Sequence, residues 1–150
     1  MKIRKAERSD LQSIVSMLAD DELGKKRELF TDPLPTTYQQ AFDEIGKDRN
    51  QELMVVTNEQ QYVIGTFQLS FIPYLTYQGG IRAQIEAVRI HKDYRGKGIG
   101  TIMFEWAITR ARLKGAHVLQ LTTDKMRPDA INFYESLGFK ASHEGMKLHL

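Results

Sequence analysis

The sequence predicts an α/β (α+β) fold: a mixed, mostly antiparallel central sheet flanked by helices. Three observations point there. Apolar residues switch between helical and two-residue spacing along the whole chain. Residues 81–90, IRAQIEAVRI, are largely apolar on both faces, as expected of a central strand. A glycine-rich hexamer, RGKGIG at 95–100, then separates that strand from the next helical stripe. With 150 residues, 41% of them apolar and 27% charged, the chain is sized for one domain, residues 1–150, around one sizeable core.

The elements follow in order. Residues 2–6 read as a short strand, and Ser9 is placed to cap a helix with Leu11, Ile14, Val15 and Leu18 at helical spacing. The polar stretch GKKRELFTDPLP at 24–35 carries two prolines near its end and reads as a loop. A second helix presents Tyr38, Ala41, Phe42 and Ile45 on one face. Residues 53–57 and 62–71 are strands joined by a polar NEQQ turn, the second alternating Phe67, Leu69 and Phe71 with Thr66, Gln68 and Ser70. YLTYQGG at 74–80 connects them to the strand at 81–90, where Ile85 and Ala87 are expected on one face and Glu86, Val88 and Ile90 on the other. A helix then carries the stripe Ile99, Ile102, Met103, Trp106, Ala107 and Ala111 and stops at Gly115. Residues 118–122 read as a short strand, Pro128 opens a last helix with Ala130, Phe133, Tyr134 and Leu137 on one face, and Gly138 closes it. Residues 139–148 are expected to form a final strand.

Composition narrows the function. The net charge is +2, with Lys and Arg spread along the chain, so no basic stripe suited to nucleic acid is visible. The absence of cysteine excludes disulfides, thiolate metal sites and an acyl-cysteine intermediate, and sits most easily in a reducing compartment. The charged opening MKIRKAERSD and the lack of 18 consecutive apolar residues give no sign of a signal segment or membrane span, so a soluble cytoplasmic protein is expected. His91, His117, His143 and His149 show no metal-ligand spacing, and no metal is expected.

Glycines behind an arginine at a helix start allow backbone N–H groups to converge on phosphate oxygens at the positive end of the helix dipole, and Arg95 and Lys97 add charge. The hexamer is not a nucleotide P-loop, which needs Lys and then Ser or Thr directly after its last glycine. Nor does GKGIG satisfy the GxGxxG dinucleotide fingerprint.

RGKGIG fits the R/Q-x-x-G-x-G/A pyrophosphate motif of the GNAT superfamily of acetyl-CoA-dependent N-acetyltransferases. AINFYESLGF at 130–139 resembles the same family's A-x-x-F/Y-Y-x-x-x-G-F signature. The resemblance implies a sheet splayed at its central strands around acetyl-CoA. It implies that Arg95, Gly96, Lys97, Gly98, Ile99 and Gly100 bind the pyrophosphate, with Thr101 starting the helix, and that the Val88 and Ile90 backbone meets the acetyl carbonyl and pantetheine arm. Arg127 stands where the family usually has Asn, so that contact is replaced, with a phosphate within its reach, and Asn132 is a second cofactor candidate. Glu86 lies nine residues before Arg95, as the base does in the histone acetyltransferase branch, and burial in a central strand would raise its pKa. Tyr134 matches the tyrosine that protonates the departing CoA thiolate.

What the resemblance implies is direct acetyl transfer to a primary amine of a small molecule in a ternary complex. The alternatives are a protein N-terminal or lysine acetyltransferase and a non-catalytic acyl-CoA-binding module. The stretch QLTTDKMRPDAINFYESLGFKASHEGMKL also resembles the C-terminal part of aminoalkylphosphonate acetyltransferases, and Lys25, Lys26 and Arg27, if they border the acceptor pocket, would favour an anionic substrate. The expected partners are acetyl-CoA and an amine-bearing small molecule, with neither nucleic acid nor membrane, and a homodimer is left open.

Overall fold

Five strands, β1 (Lys2–Lys5), β2 (Gln51–Thr57), β3 (Val63–Pro73), β4 (Ile81–Ile90) and β5 (Ala116–Gln120), form one sheet in chain order. The computed structural model describes residues 1–150, the side chain of Pro128 excepted. Neighbours from β1 to β4 run antiparallel, and β4 and β5 run parallel. The helices are α1 (Leu11–Leu18), α2 (Gly24–Arg27), α3 (Thr36–Lys47), α4 (Thr76–Gly79), α5 (Ile99–Leu113) and α6 (Pro128–Ser136). The mixed sheet with flanking helices is the expected fold.

Two apolar clusters divide the helices. α5 places Ile99, Met103, Phe104, Ala107 and Ala111 against Met54, Val56, Phe67 and Leu69 of the sheet, and Phe133 and Tyr134 of α6, with Leu137 just after it, join the same cluster. Phe104 is fully buried, and a phenyl ring so placed contributes roughly 1.5–3 kcal/mol. The expected stripe included Ile102, which is 39% exposed, and passed over Phe104, because α6 covers α5 from the side and turns the buried face toward position 104. On the sheet's other face Leu11, Val15 and Leu34 make a smaller cluster with Tyr38 and Phe42.

Other local expectations shift. Ser9 does not cap α1: the chain enters through a 3-10 turn, Arg8–Asp10, and the Glu7 amide donates to Asp10 Oδ2 at 2.7 Å. Asp10 serves because Arg4 holds it with bonds of 2.7 and 3.0 Å. The loop at 24–35 opens with one helical turn, α2, whose first amide donates to Asp21 Oδ1 at 2.5 Å. β5 begins and ends two residues earlier than the expected 118–122.

The final strand expected at 139–148 is not formed. Phe139 packs on Phe104, but residues 140–150 are exposed and pair with no strand of their own chain. Alternation alone does not make a strand without a partner ladder.

Candidate active site

Pairing between β4 and β5 runs only from Ile81↔Ala116 to Gln84↔Gln120. Beyond Gln84, β4 is held by β3 alone. Between the pairs Gln68↔Glu86 and Thr66↔Arg89, β4 has two residues, Ala87 and Val88, where β3 has only Phe67. Ala87 takes φ of 52° to fit them in. Such a bulge bends and twists its strand, and it lies where β4 parts from β5.

The bulge overturns the expected facing of Glu86. Strict alternation groups Glu86 with Val88 and Ile90, but the extra residue resets the phase. Ala83 and Ile85 belong to the main cluster, and Val88 and Ile90 pack on that same cluster. Glu86 therefore lies on the opposite face, exposed rather than buried, so burial does not make it a base. Gln84 Nε2 donates to its carboxylate at 2.5 Å, and Gln120 Nε2 donates to Gln84 Oε1 at 2.8 Å. Gln51 accepts from Gln68 and Ser70 at 2.9 and 2.7 Å. A polar row thus crosses β2 to β5 beside Glu86.

β4 delivers the chain through a short 3-10 turn, Lys92–Tyr94, to the hexamer. Gly96 and Gly98 have φ of 72° and 76°, left-handed values that glycine adopts without steric cost. A Cβ on either meets nothing within 4 Å, so bare backbone faces open space at the N-terminus of the 15-residue α5. That surface fits a pyrophosphate. Gly100 differs: its Cβ would stand 3.2 Å from Phe133 Cζ and 3.5 Å from Ile90 Cδ1. The missing side chain there lets α5 and α6 approach. Ile99 is the buried member of the hexamer, and Thr101 lies in the first turn of α5.

The charged residues here are engaged within the chain. Arg95 donates from Nε to the Ile90 carbonyl at 3.1 Å and from Nη2 to Asp20 at 2.8 Å. Arg89 Nη1 donates to the Val88 carbonyl at 2.8 Å. Lys97 Nζ lies 5.2 Å from the centre of the Tyr94 ring. Arg127 precedes α6 and donates to Asp21 at 2.6 Å, while Asn132 is exposed on the helix.

Tyr134 is half-buried among Phe104, Phe133 and Phe139, at ring distances of 5.4 to 6.2 Å. Burial pushes its phenol above the ordinary value, with Arg127 and Arg89 pulling the other way. Partial burial also pushes Asp21 up, but the Gly24 amide, Arg127 and Arg89 outweigh it and hold the carboxyl below the usual range. Burial draws Arg89 down, Asp21 opposes, and Arg127 and Arg27 add to the fall. Asp20, Asp21 and Arg89 were missed from the sequence. A charged residue inside an apolar central strand, as Arg89 is, was the available signal.

Among the described residues, no group of three or more His, Cys, Asp or Glu is placed to hold a metal. No helix among the described residues is long and apolar enough to cross a membrane.

The site is thus a sheet split at its parallel pair, with an open glycine turn at the start of the helix that follows the split strand. The acetyltransferase (GNAT) family matches residues 17–139, and the chain belongs to that family of N-acetyltransferases. A crystal structure of a transcriptional regulator from Bacillus halodurans C-125 is 56% identical and superposes with a TM-score of 0.96 over 99% of each chain. The L-methionine sulfoximine/L-methionine sulfone acetyltransferase of Pseudomonas aeruginosa is 26% identical over 142 residues, 93% of this chain and 80% of that enzyme. The aminoalkylphosphonate N-acetyltransferase of Salmonella typhimurium is 33% identical over 81 residues, 54% of this chain, and the match spans about half, 52%, of its length.

Proposed function

We propose that the protein transfers the acetyl group of acetyl-CoA to a primary amine of a small molecule, by direct attack in a ternary complex. The observation that carries this reading is the release of β4 from β5 beyond Gln84, which leaves the β4 backbone at Val88 and Ile90 with no strand on its β5 side, just ahead of the open glycine turn. The two curated relatives described above act on small amino compounds. The chain has no cysteine, so the commonest acyl-enzyme nucleophile is lacking. Its net charge of +2 gives no support to nucleic-acid binding.

In this reading the backbone from Arg95 to Gly100 holds the pyrophosphate, and the β4 edge at Val88 and Ile90 aligns the pantetheine arm. Asp20 yields Arg95 to phosphate on binding. Glu86, open to solvent, takes one proton from the substrate ammonium, directly or through water. The free amine forms the new C–N bond at the thioester carbon, while the Val88 N–H stabilises negative charge on the carbonyl oxygen. As the C–S bond breaks, Tyr134 gives its proton to sulfur, and the second ammonium proton restores the phenol. Glu86 releases its proton to water, leaving an amide, free CoA thiol and one proton.

The test is release of free thiol from acetyl-CoA by the purified protein, across amino acids, aminophosphonates, amino sugars and peptides. Turnover with small amines well above background is expected. Turnover confined to peptides would make the chain a protein acetyltransferase, and acetyl-CoA binding without turnover would make it a binding module.

A further inference from the structure

We infer that the acceptor amine carries an acidic group of its own, a carboxylate or a phosphonate close to the nitrogen, and that Arg89 and Arg127 bind that group. This rests on the acetyl-transfer reading above and names the class of amine it takes. Among the described residues, the salt bridges of both guanidiniums end on one carboxylate: Arg127 Nη2 lies 2.6 Å and Arg89 Nη2 3.6 Å from the same atom, Asp21 Oδ2. Two positive charges against one negative leave one uncompensated. Arg27 is also near enough to add to the fall in the Arg89 pKa that burial begins, and its own salt bridge is with Glu28 at 3.5 Å.

Arg89 is the less satisfied of the pair. Its side chain is 14% exposed, and among the described residues it makes a single hydrogen bond, from Nη1 to the Val88 carbonyl. Nε is buried with no partner there, and 3.6 Å from Nη2 to Asp21 is too long for a hydrogen bond. A buried donor left unpaired is costly. The unused Nε–Nη2 edge is a side of the guanidinium that a carboxylate or phosphonate grips with two parallel bonds. An incoming acid brings at least two oxygens where Asp21 Oδ2 supplies one. It can therefore serve both arginines while Asp21 keeps the Gly24 amide on Oδ1, at 2.5 Å.

The position suits a short zwitterion. Glu86 pairs with Gln68 and Arg89 with Thr66, two positions apart on β3, so the bulge leaves both side chains on one face of β4, about 7 Å apart along the strand. Arg89 also adjoins Val88, whose N–H is assigned to the thioester oxygen, and lies near Tyr134. An ammonium at Glu86 and an acid at Arg89 are the two ends of an α- or β-amino acid or its phosphonate counterpart. A diamine or polyamine would instead bring a second cation against the arginines, a repulsion that works against it.

The test sets each acid-bearing amine against the same amine without its acid: the common amino acids against their decarboxylated amines, and 2-aminoethylphosphonate against ethylamine. Free thiol released from acetyl-CoA is the readout. For at least one pair, kcat/KM should favour the acid-bearing member about 100-fold or more, and which pair it is separates carboxylate from phosphonate. Arg89→Gln and Arg127→Gln should each cut that ratio about tenfold or more. Because the ratio is taken within one protein, a uniform loss of activity cancels. Arg127 is 34% exposed, so its variant serves if Arg89→Gln does not fold. A wild-type ratio near one in every pair, or a ratio that a folded variant leaves unchanged, would overturn the inference. If no amine is turned over, the acetyl-transfer reading fails by itself, and calorimetry of the same pairs on CoA-loaded protein decides this one. Binding of an acid-bearing amine that its partner does not share, weakened in the variants, upholds the arginine site. No binding, or equal binding of both members, overturns it.

Discussion

Arg127 donates to Asp21 at 2.6 Å across 106 positions of sequence, tying the segment between α1 and α2 to the entry of α6. Asp21 also stands 3.6 Å from Arg89, so one carboxylate links β4 to the entry of α6. Both guanidiniums lie close enough to Tyr134 to favour its phenolate, and burial outweighs them. Two guanidiniums thus stand near a phenol whose burial favours its protonated form.

Asp21→Asn should loosen this link. Arg127 and Asp21 are 34% and 26% exposed, so solvent screens the pair and its loss is worth about 1 kcal/mol at pH 7. The folded-state pKa of Asp21 is lowered, so its contribution is present above the unfolded value, about 3.9, and fades as pH falls through the lower folded one. Urea unfolding of both proteins at pH 7 and pH 3 checks the sign, with the gap narrowing at pH 3. A gap independent of pH would leave the carboxylate's charge without a role.

Gly98→Ala tests the cradle. The left-handed φ of 76° costs an alanine about 1–2 kcal/mol, and the methyl enters the open space above the N-terminus of α5 without touching the protein. Acetyl-CoA affinity by calorimetry should drop about tenfold or more, a change that each 1.4 kcal/mol produces. Gly100→Ala should instead lower stability, because its methyl meets Phe133. Equal acetyl-CoA affinity in wild type and Gly98→Ala would take the pyrophosphate away from this turn.

Much of this was legible in the sequence, for identifiable reasons. Periodicity located α1, α3, α5, α6 and the central strand because one apolar face per element must be buried, and it missed the single turns α2 and α4. The hexamer was visible because left-handed turns require glycine at Gly96 and Gly98. The facing of Glu86 was not legible, since a bulge at Ala87, a non-glycine with φ of 52°, leaves no compositional mark. The role of Gly100 depends on Phe133, 33 positions away, and was equally hidden. Residues 139–148 carried a strand pattern, but which sheet receives a strand is a tertiary matter that alternation does not encode.

Tyr134→Phe keeps the ring packed against Phe104 and Phe133 and removes the proton donor. Turnover should fall about 100-fold, the scale of general acid catalysis, with acetyl-CoA affinity retained. Because burial raises the phenol above its ordinary value, the wild-type rate should show no loss from tyrosine ionisation between pH 6 and about 10. Steady-state kinetics on both proteins decides it, and wild-type turnover in the variant would reduce Tyr134 to a packing residue.

Glu86→Gln is the sharpest test, because the carboxylate is exposed and its removal should leave the fold alone. Its neighbour Gln84 can still bond to an amide by turning its own side chain, so the polar row persists. If Glu86 receives the ammonium proton, the loss in kcat/KM should be greatest at neutral pH, where most of the amine is protonated, and roughly tenfold or more there. The gap should close as pH rises toward about 10.4, the value of a lysine-like ammonium, because solution then supplies free amine. A pH profile of kcat/KM for wild type and variant reads this directly. Equal rates at neutral pH, or a loss of constant size at every pH, would move the base elsewhere, to a water held along the polar row of Gln68, Gln84 and Gln120.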